Sequence, residues 1–159
     1  MLPPSSSPQP GLRRALVLWL YAAALVHLLA GVLLTWAGNS GLFTDYLHGI
    51  EQLFWGQAAP PAARAQQVWW LALFGATLQS YALYLLALVR LGDRLHHANA
   101  WAWLMAGILL WAPQDIWVSI QVQMWSHLAF DSVALLTLLP PLLWLFVHDR
   151  RHPGAAPRA

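Results

Sequence analysis

Residues 124–147 read MWSHLAFDSVALLTLLPPLLWLFV, an almost uninterrupted apolar run. A helix needs about 20 apolar residues to cross the hydrocarbon core of a bilayer, so this stretch predicts a transmembrane helix. Its ionisable side chains are His127 and Asp131, which lie one helical turn apart. Because a carboxylate inside a membrane must be paired, protonated or hydrated, we expect Asp131 to face neighbouring helices, with His127 as its nearest partner.

Three further stretches have the same apolar character. Residues 15–36 and 68–89 are long enough to cross a bilayer. Residues 98–112 form a shorter run, because Pro113 is expected to break or kink the helix near its end. We therefore predict an all-α integral membrane protein, a four-helix bundle whose fourth span is residues 124–147.

The composition supports this class. Hydrophobic residues make up 59% of the chain and charged residues 9%, whereas a soluble domain carries roughly 25% charged residues. The absence of cysteine excludes disulfides, thiolate catalysis and cysteine-ligated metals. A net charge of +2 is too small to indicate nucleic-acid binding, so no nucleic-acid partner is expected.

The arginines predict the direction in which the chain crosses the membrane. Seven of the eight basic residues flank the spans on one side, and Arg64 alone lies on the other. By the positive-inside rule both termini are cytoplasmic. The membrane domain is predicted at residues 13–150, between a Pro/Ser-rich disordered leader at residues 1–12 and a basic cytoplasmic tail at residues 151–159.

The longest loop contains the segment 41–56, GLFTDYLHGIEQLFWG. Its apolar residues recur with a helical period, which predicts a short amphipathic interfacial helix between the first and second spans. Asp45, His48 and Glu51 are spaced three apart on its polar face. They form either a solvated polar face or a site for a metal or a substrate.

Polar side chains also lie inside the predicted spans, at His27, Gln79 and Asp131. Their depths agree within one or two helical turns, and small residues beside His27 and Gln79 favour close helix contacts. We therefore predict an inward-facing polar centre, which acts either as interhelical glue or as a functional site. Asp115 is expected either to cap a short interfacial segment after Pro113 or to join an outer polar pocket.

The leading functional hypothesis is a bundle without catalysis that binds a partner or a lipid-like ligand. Its candidate ligand-binding residues are His27, Gln79, Asp115, Asp45, His48 and Glu51. One alternative is a membrane-embedded enzyme that acts on a lipid or isoprenoid, with Asp131 and His127 as an acid–base pair. Another is proton-coupled transport by an oligomer through Asp131.

No metal and no cofactor are predicted. A b-type haem held by His27 and a second histidine is an alternative, but His127 lies about ten residues shallower and fits poorly as the second axial ligand. The expected partners are membrane lipid and either another membrane protein or further copies of this chain in a homo-oligomer.

Three stretches carry a resemblance to known proteins. They are QQVWWLALFGATLQSYALYLLALV at 66–89, WLMAGILLWAPQDIWVSIQ at 103–121 and HLAFDSVALLTLLPPLLWL at 127–145. They resemble small four-span bacterial inner-membrane proteins that are often labelled cell division proteins. The similarity covers roughly Arg13 to Arg150. It implies a multi-pass location in the bacterial inner membrane and carries over no catalytic residue.

Overall fold

The computed structural model describes residues 10–152, and this part of the chain is helical throughout apart from short connections. Its α-helices are α1 (Pro10–Ala37), α2 (Thr44–Trp55), α3 (Pro61–Leu95), α4 (Ala98–Gln121) and α5 (Trp125–Arg151). A 3₁₀ turn at Gly41–Phe43 precedes α2. All the helices except α2 are long and apolar enough to cross a membrane, which confirms the predicted all-α four-span bundle. The predicted helix between the first two spans is also confirmed.

The predicted leader and tail fall mostly outside the described residues. Residues 1–9 and 153–159 are not described, whereas residues 10–12 already belong to α1. The other long helices also extend past their predicted spans. α3, for example, covers Pro61–Leu95, where the sequence predicted 68–89. Hydropathy marks the apolar core of a span, and the helix continues beyond it wherever its backbone hydrogen bonds continue.

The bundle has two chemically different ends. α1 packs along α3, and α4 packs along α5, with smaller contacts between α3 and α4. The beginning of α1 and the end of α5 meet at one end, where Arg13 contacts Asp149. We call this the terminal end. The opposite end, which carries α2 and the α4–α5 turn, is called the α2 end.

The interior of the bundle is small, and most apolar side chains face outwards. Its most buried members include Leu20, Val89, Trp101, Leu142 and Leu145. In each of the four apolar windows only 22% of the residues are buried. So much exposed apolar surface would drive aggregation in water, whereas acyl chains cover it in a bilayer. Lipid is as apolar as leucine, so close packing and interhelical hydrogen bonds must hold the helices together.

α1 and α3 approach each other at Gly31 and Gly75. A Cβ atom on Gly31 would lie 2.7 Å from the carbonyl oxygen of Gly75, and one on Gly75 would lie 2.7 Å from that of Gly31. Real Cβ atoms do not come this close to backbone, so the two helices can touch here only through glycine. The predicted close contact beside Gln79 is therefore present.

Pro113 does not end α4. The helix continues through it to Gln121, whereas the sequence predicted that Pro113 would break or kink the helix after a span at residues 98–112. A proline removes one amide donor, and in transmembrane helices neighbouring groups can satisfy the carbonyls that this disturbs. The missing amide leaves the carbonyl of Leu109 without its usual donor, and at the neighbouring Leu110 the Gln114 side-chain amide donates to the carbonyl at 2.6 Å. The prediction that Asp115 caps a separate interfacial segment was wrong for the same reason, since Asp115 lies within α4.

Candidate functional site

The turn between α4 and α5 brings Asp115 and Asp131 to the same distance from the α2 end of the bundle. Gln123 adopts a left-handed conformation with φ of 57°, and the Met124 amide donates to the Ser119 carbonyl at 2.9 Å. The chain therefore reverses within three residues. Asp115 lies six residues before the end of α4, and Asp131 lies six residues after the start of α5. At 1.5 Å per residue, both are about 9 Å from the α2 end of their helices.

Asp115, His127 and Asp131 converge at this height, and we call them the Asp–His–Asp cluster. Each offers one ligand atom, and these atoms all lie within 4.8 Å of one another. His127 Nδ1 is 3.7 Å from Asp115 Oδ1, and Ser119 Oγ is 3.2 Å from the same nitrogen. The sequence predicted His127 as the nearest partner of Asp131 and offered an outer polar pocket as one role for Asp115. All three residues lie in one cluster, but the acid within 4.0 Å of His127 in the described chain is Asp115 and not Asp131.

Asp131 is the most enclosed member of the cluster. Its exposed fraction is 3%, and its Oδ2 atom has no hydrogen-bond partner among the described residues. A buried polar atom without a partner costs about 1–3 kcal/mol, and more when it is charged. A second carboxylate nearby adds repulsion. The arrangement is therefore unfavourable unless something positive is added to it.

Ser119, His127 and Asp115 do not form a catalytic triad. Ser119 Oγ and Asp115 Oδ1 both approach Nδ1 of the histidine. In a triad the nucleophile and the acid contact opposite ring nitrogens, so that the base can take a proton from one while the other is oriented. Rotating the ring by 180° would not separate the two partners. What the geometry leaves available is the other ring nitrogen.

The helix α2 lies close to this cluster. Burial raises the pKa of the Tyr46 hydroxyl, and the negative charge of Asp115 raises it further. Tyr46 therefore stays protonated and can donate a hydrogen bond in the neighbourhood of the cluster. Leu47, which is 1% exposed, anchors the helix by burial.

The polar face of α2 holds the helix in place. Glu51 accepts a hydrogen bond from Arg64 Nη1 at 2.7 Å, and its other oxygen lies 3.6 Å from His48 Nδ1. The bond from Arg64 lowers the pKa of Glu51. Asp45 occupies the first turn of α2, where a negative charge is favoured by the helix dipole. Within residues 10–152 these side chains do not converge as possible ligands of one metal ion.

The predicted single polar centre is divided between separate places. Gln79 Nε2 donates to Thr35 Oγ1 at 3.0 Å and to the Gly31 carbonyl at 3.3 Å, which links α3 to α1. His27 Nδ1 lies 2.7 Å from the carbonyl of Ala23 in its own helix. In the described part of the chain no hydrogen bond connects Gln79 or His27 to the Asp–His–Asp cluster. The contacts of Gln79 are those of interhelical glue.

A buried ion-pair network at the terminal end was not found from the sequence. Arg13 Nε and Nη2 donate to the two carboxylate oxygens of Asp149 at 2.9 and 3.1 Å, and Arg13 Nη1 donates to Asp93 at 3.1 Å. Trp101 Nε1 donates to Asp149 at 2.8 Å. The available signal was the presence of two acids within otherwise basic flanks, RLGDRL and HDRR.

Gln67 was also missed. Both side-chain amide atoms of this α3 residue are buried without a hydrogen-bond partner among the described residues. It lies six residues after the start of α3, also about 9 Å along a helix from the α2 end.

Comparisons with known protein families, with curated proteins and with solved structures found no match for this chain.

Proposed function

We propose that this protein is a membrane-embedded metal-binding bundle whose Asp–His–Asp cluster takes one divalent transition-metal ion. The observation that carries the proposal is the buried, unpartnered Oδ2 of Asp131 beside Asp115 and His127. A metal ion would replace the missing hydrogen-bond donor with a stronger partner. The proposal keeps the binding bundle expected from the sequence, but it replaces the expected partner or lipid-like ligand with a metal ion and departs from the expectation that no metal is bound.

The chemistry of the donor set favours zinc. Zn²⁺ is commonly held by imidazole nitrogen and carboxylate oxygen at about 2.0–2.2 Å, with four ligands in a tetrahedron. Ligand atoms in such a site lie about 3.3 Å apart. The separation of up to 4.8 Å requires only a modest contraction of side chains that already point together. Mn²⁺ accepts the same donors, whereas Mg²⁺ prefers oxygen ligands and keeps several waters.

Charge balance supports the same conclusion. Two ionised carboxylates and a neutral histidine would carry a charge of about −2 in a region of low dielectric, which is costly without a counter-ion. A divalent cation neutralises that charge. Three protein ligands leave a fourth position, which water or Ser119 could fill.

Acid–base chemistry by Asp131 and His127 on a lipid or isoprenoid is the second candidate. It is favoured by the same unpartnered carboxylate oxygen and by the free ring nitrogen of His127. The two candidates differ in whether the side chains of Asp131 and His127 are bound to a metal ion. Zinc would bind both side chains, whereas an acid–base pair must keep both free to exchange protons.

The proposal includes a location in a bacterial inner membrane with the terminal end in the cytoplasm. Six arginines and two acids surround that end of the described chain, while four acids and Arg64 lie towards the α2 end. This asymmetry supports the orientation by the positive-inside rule. The natural absence of cysteine permits a clean test with the exposed positions Ser40 and His152. An impermeant maleimide should label Ser40→Cys in intact cells and His152→Cys only after lysis, and the reverse pattern would refute the orientation.

Metal binding is tested on tag-free protein in detergent, stripped with a chelator and titrated with ZnCl₂ by calorimetry. We expect one Zn²⁺ per chain, with affinity reduced at least tenfold in Asp131→Asn and in His127→Gln. The histidines of the terminal end could also bind zinc, because the rings of His148 and His152 are 4.9 Å apart. A His148→Gln/His152→Gln control should therefore keep full binding. Loss of binding in that control alone, or no saturable binding at all, would overturn the proposal.

A further inference from the structure

A cavity of about 470 Å³ lies at the terminal end, between the beginning of α1, the end of α3 and the end of α5. Its size is within the range of small-molecule sites. Its walls are Arg13, Arg14, Val17, Leu18, Tyr21, Asp93, His96 and His148. It is thus basic at one side and apolar at the other, and it lies at the opposite end of the bundle from the proposed metal site.

The positive charge that a ligand in this cavity would meet comes from Arg14. Arg13 is saturated, since its guanidinium donates to both Asp149 oxygens, to Asp93 and to the Gly92 carbonyl. Asp93 and Asp149 share this one guanidinium, so the three side chains together carry one negative charge when all are ionised. Arg14 is exposed and makes no hydrogen bond to another residue of the described chain, so its charge is free to act on a ligand.

Two histidines widen the polar side. His96 ends α3 in a left-handed conformation with φ of 47°, which places it at the rim beside Arg14. His148 stacks on Trp144 with ring centroids 4.7 Å apart and nearly parallel planes. Neither ring nitrogen of His148 is engaged in a hydrogen bond among the described residues. Arg14, His96 and His148 therefore present several free donors to one volume.

The apolar side is continuous with the lipid-facing surface. Val17 is buried in the core, whereas Leu18 is 57% exposed and extends the wall towards the outside of the bundle. α1 and α5 contact each other only sparsely. Further along, Trp19 Nε1 donates to the Thr137 carbonyl at 2.9 Å and links the two helices. The exposed cation of Arg14 on one side and the exposed Leu18 on the other favour a molecule that is anionic at one end and apolar at the other.

We infer that this cavity binds the headgroup phosphate of one anionic membrane phospholipid, with the start of an acyl chain lying along Leu18. Charge complementarity and position favour this occupant. The cavity lies where the apolar surface of the spans gives way to an arginine-rich end, which is the depth of lipid phosphates. Basic pockets between transmembrane helices recognise anionic headgroups in this way. The inference does not depend on metal binding at the α2 end.

The test uses full-length protein in nanodiscs of phosphatidylcholine that contain a minor fraction of phosphatidylglycerol, with retained lipid measured by native mass spectrometry. We expect wild-type protein to retain phosphatidylglycerol in preference to phosphatidylcholine. Arg14→Gln should reduce that preference about fivefold, because one basic residue contributes roughly that factor to the attraction for anionic lipid. Arg90→Gln is the matched control, because it removes the same charge from an exposed position at the same end but outside the cavity.

Each alternative has its own outcome. An equal loss in Arg14→Gln and Arg90→Gln would show a diffuse basic surface and overturn the inference. Equal retention of both lipids would overturn it as well. If inorganic phosphate at millimolar concentration displaced the retained lipid, the cavity would be a site for a free anion. Leu18→Gln separates these cases further, because it should weaken lipid retention and would leave binding of a free anion unchanged.

Discussion

A carboxylate oxygen of Asp131 lies within 4.8 Å of one from Asp115, although the two residues belong to different helices, α5 and α4, of one helical hairpin. The turn at residues 122–124 sets this register, because it places both acids six residues from the turn-side ends of their helices. Two carboxylates at such a distance repel each other, and within a membrane the repulsion is weakly screened. This repulsion therefore raises the free energy of the hairpin, and a bound cation would lower it.

The first prediction concerns the stability of Asp131→Asn. In metal-free protein this substitution removes a buried charge, so the melting temperature should stay the same or rise. With ZnCl₂ at 100 times the wild-type dissociation constant, wild-type protein should gain about 2.7 kcal/mol, and a variant with tenfold lower affinity should gain about 1.4 kcal/mol, or less if its affinity is lower still. Thermal unfolding in detergent, with chelator and with zinc, measures both. Collapse of the metal-free variant would instead assign Asp131 a structural role and contradict the prediction.

The spans and the position of α2 could be predicted from the sequence because hydropathy and helical periodicity are local signals. The Asp–His–Asp cluster could not, because its formation depends on Pro113 being tolerated within α4. Sequence rules treat proline as a helix end, whereas tertiary packing decides whether the helix continues. Depth alone placed Asp131 near His27 and Gln79, yet depth says nothing about which face of a helix a residue occupies. The face that a helix turns towards its neighbours depends on the angles at which the helices cross, and a single sequence does not contain these angles.

The second prediction concerns the α1–α3 contact. Gly31→Ala should destabilise the protein by about 1–3 kcal/mol, because the new methyl group would meet the backbone of Gly75, which cannot move aside. Gly107→Ala is the control, since nothing lies within 4 Å of that position and alanine is the better helix former. Unfolding in mixed micelles with increasing denaturing detergent measures both. Equal stability of the two variants would contradict close backbone packing at Gly31.

The third prediction concerns the attachment of α2 to α3. Arg64 lowers the pKa of Glu51 in the folded protein, so this pair stabilises α2 at pH values above the ordinary glutamate pKa of about 4.3. The contribution is lost as the pH falls through the lower, folded-state value. At pH 7, α2 should exchange its amide hydrogens more slowly in wild-type protein than in Glu51→Gln. The difference should shrink as the pH is lowered below about 4.3, and a difference that did not change with pH would contradict the ion-pair explanation.

The fourth prediction concerns the ion-pair network at the terminal end. Asp149 is 1% exposed and accepts hydrogen bonds from both Arg13 and Trp101. Asp149→Asn should therefore cost about 3–5 kcal/mol, because it leaves the guanidinium of Arg13 buried without its main counter-charge. Asp93→Asn is the matched control. The Asp93 side chain is 39% exposed, and its exposed pairing with Arg13 is worth about 1 kcal/mol or less. The free energy of unfolding of both variants in micelles gives the comparison, and a smaller loss for Asp149→Asn than for Asp93→Asn would show that the terminal end is not held by this buried pair.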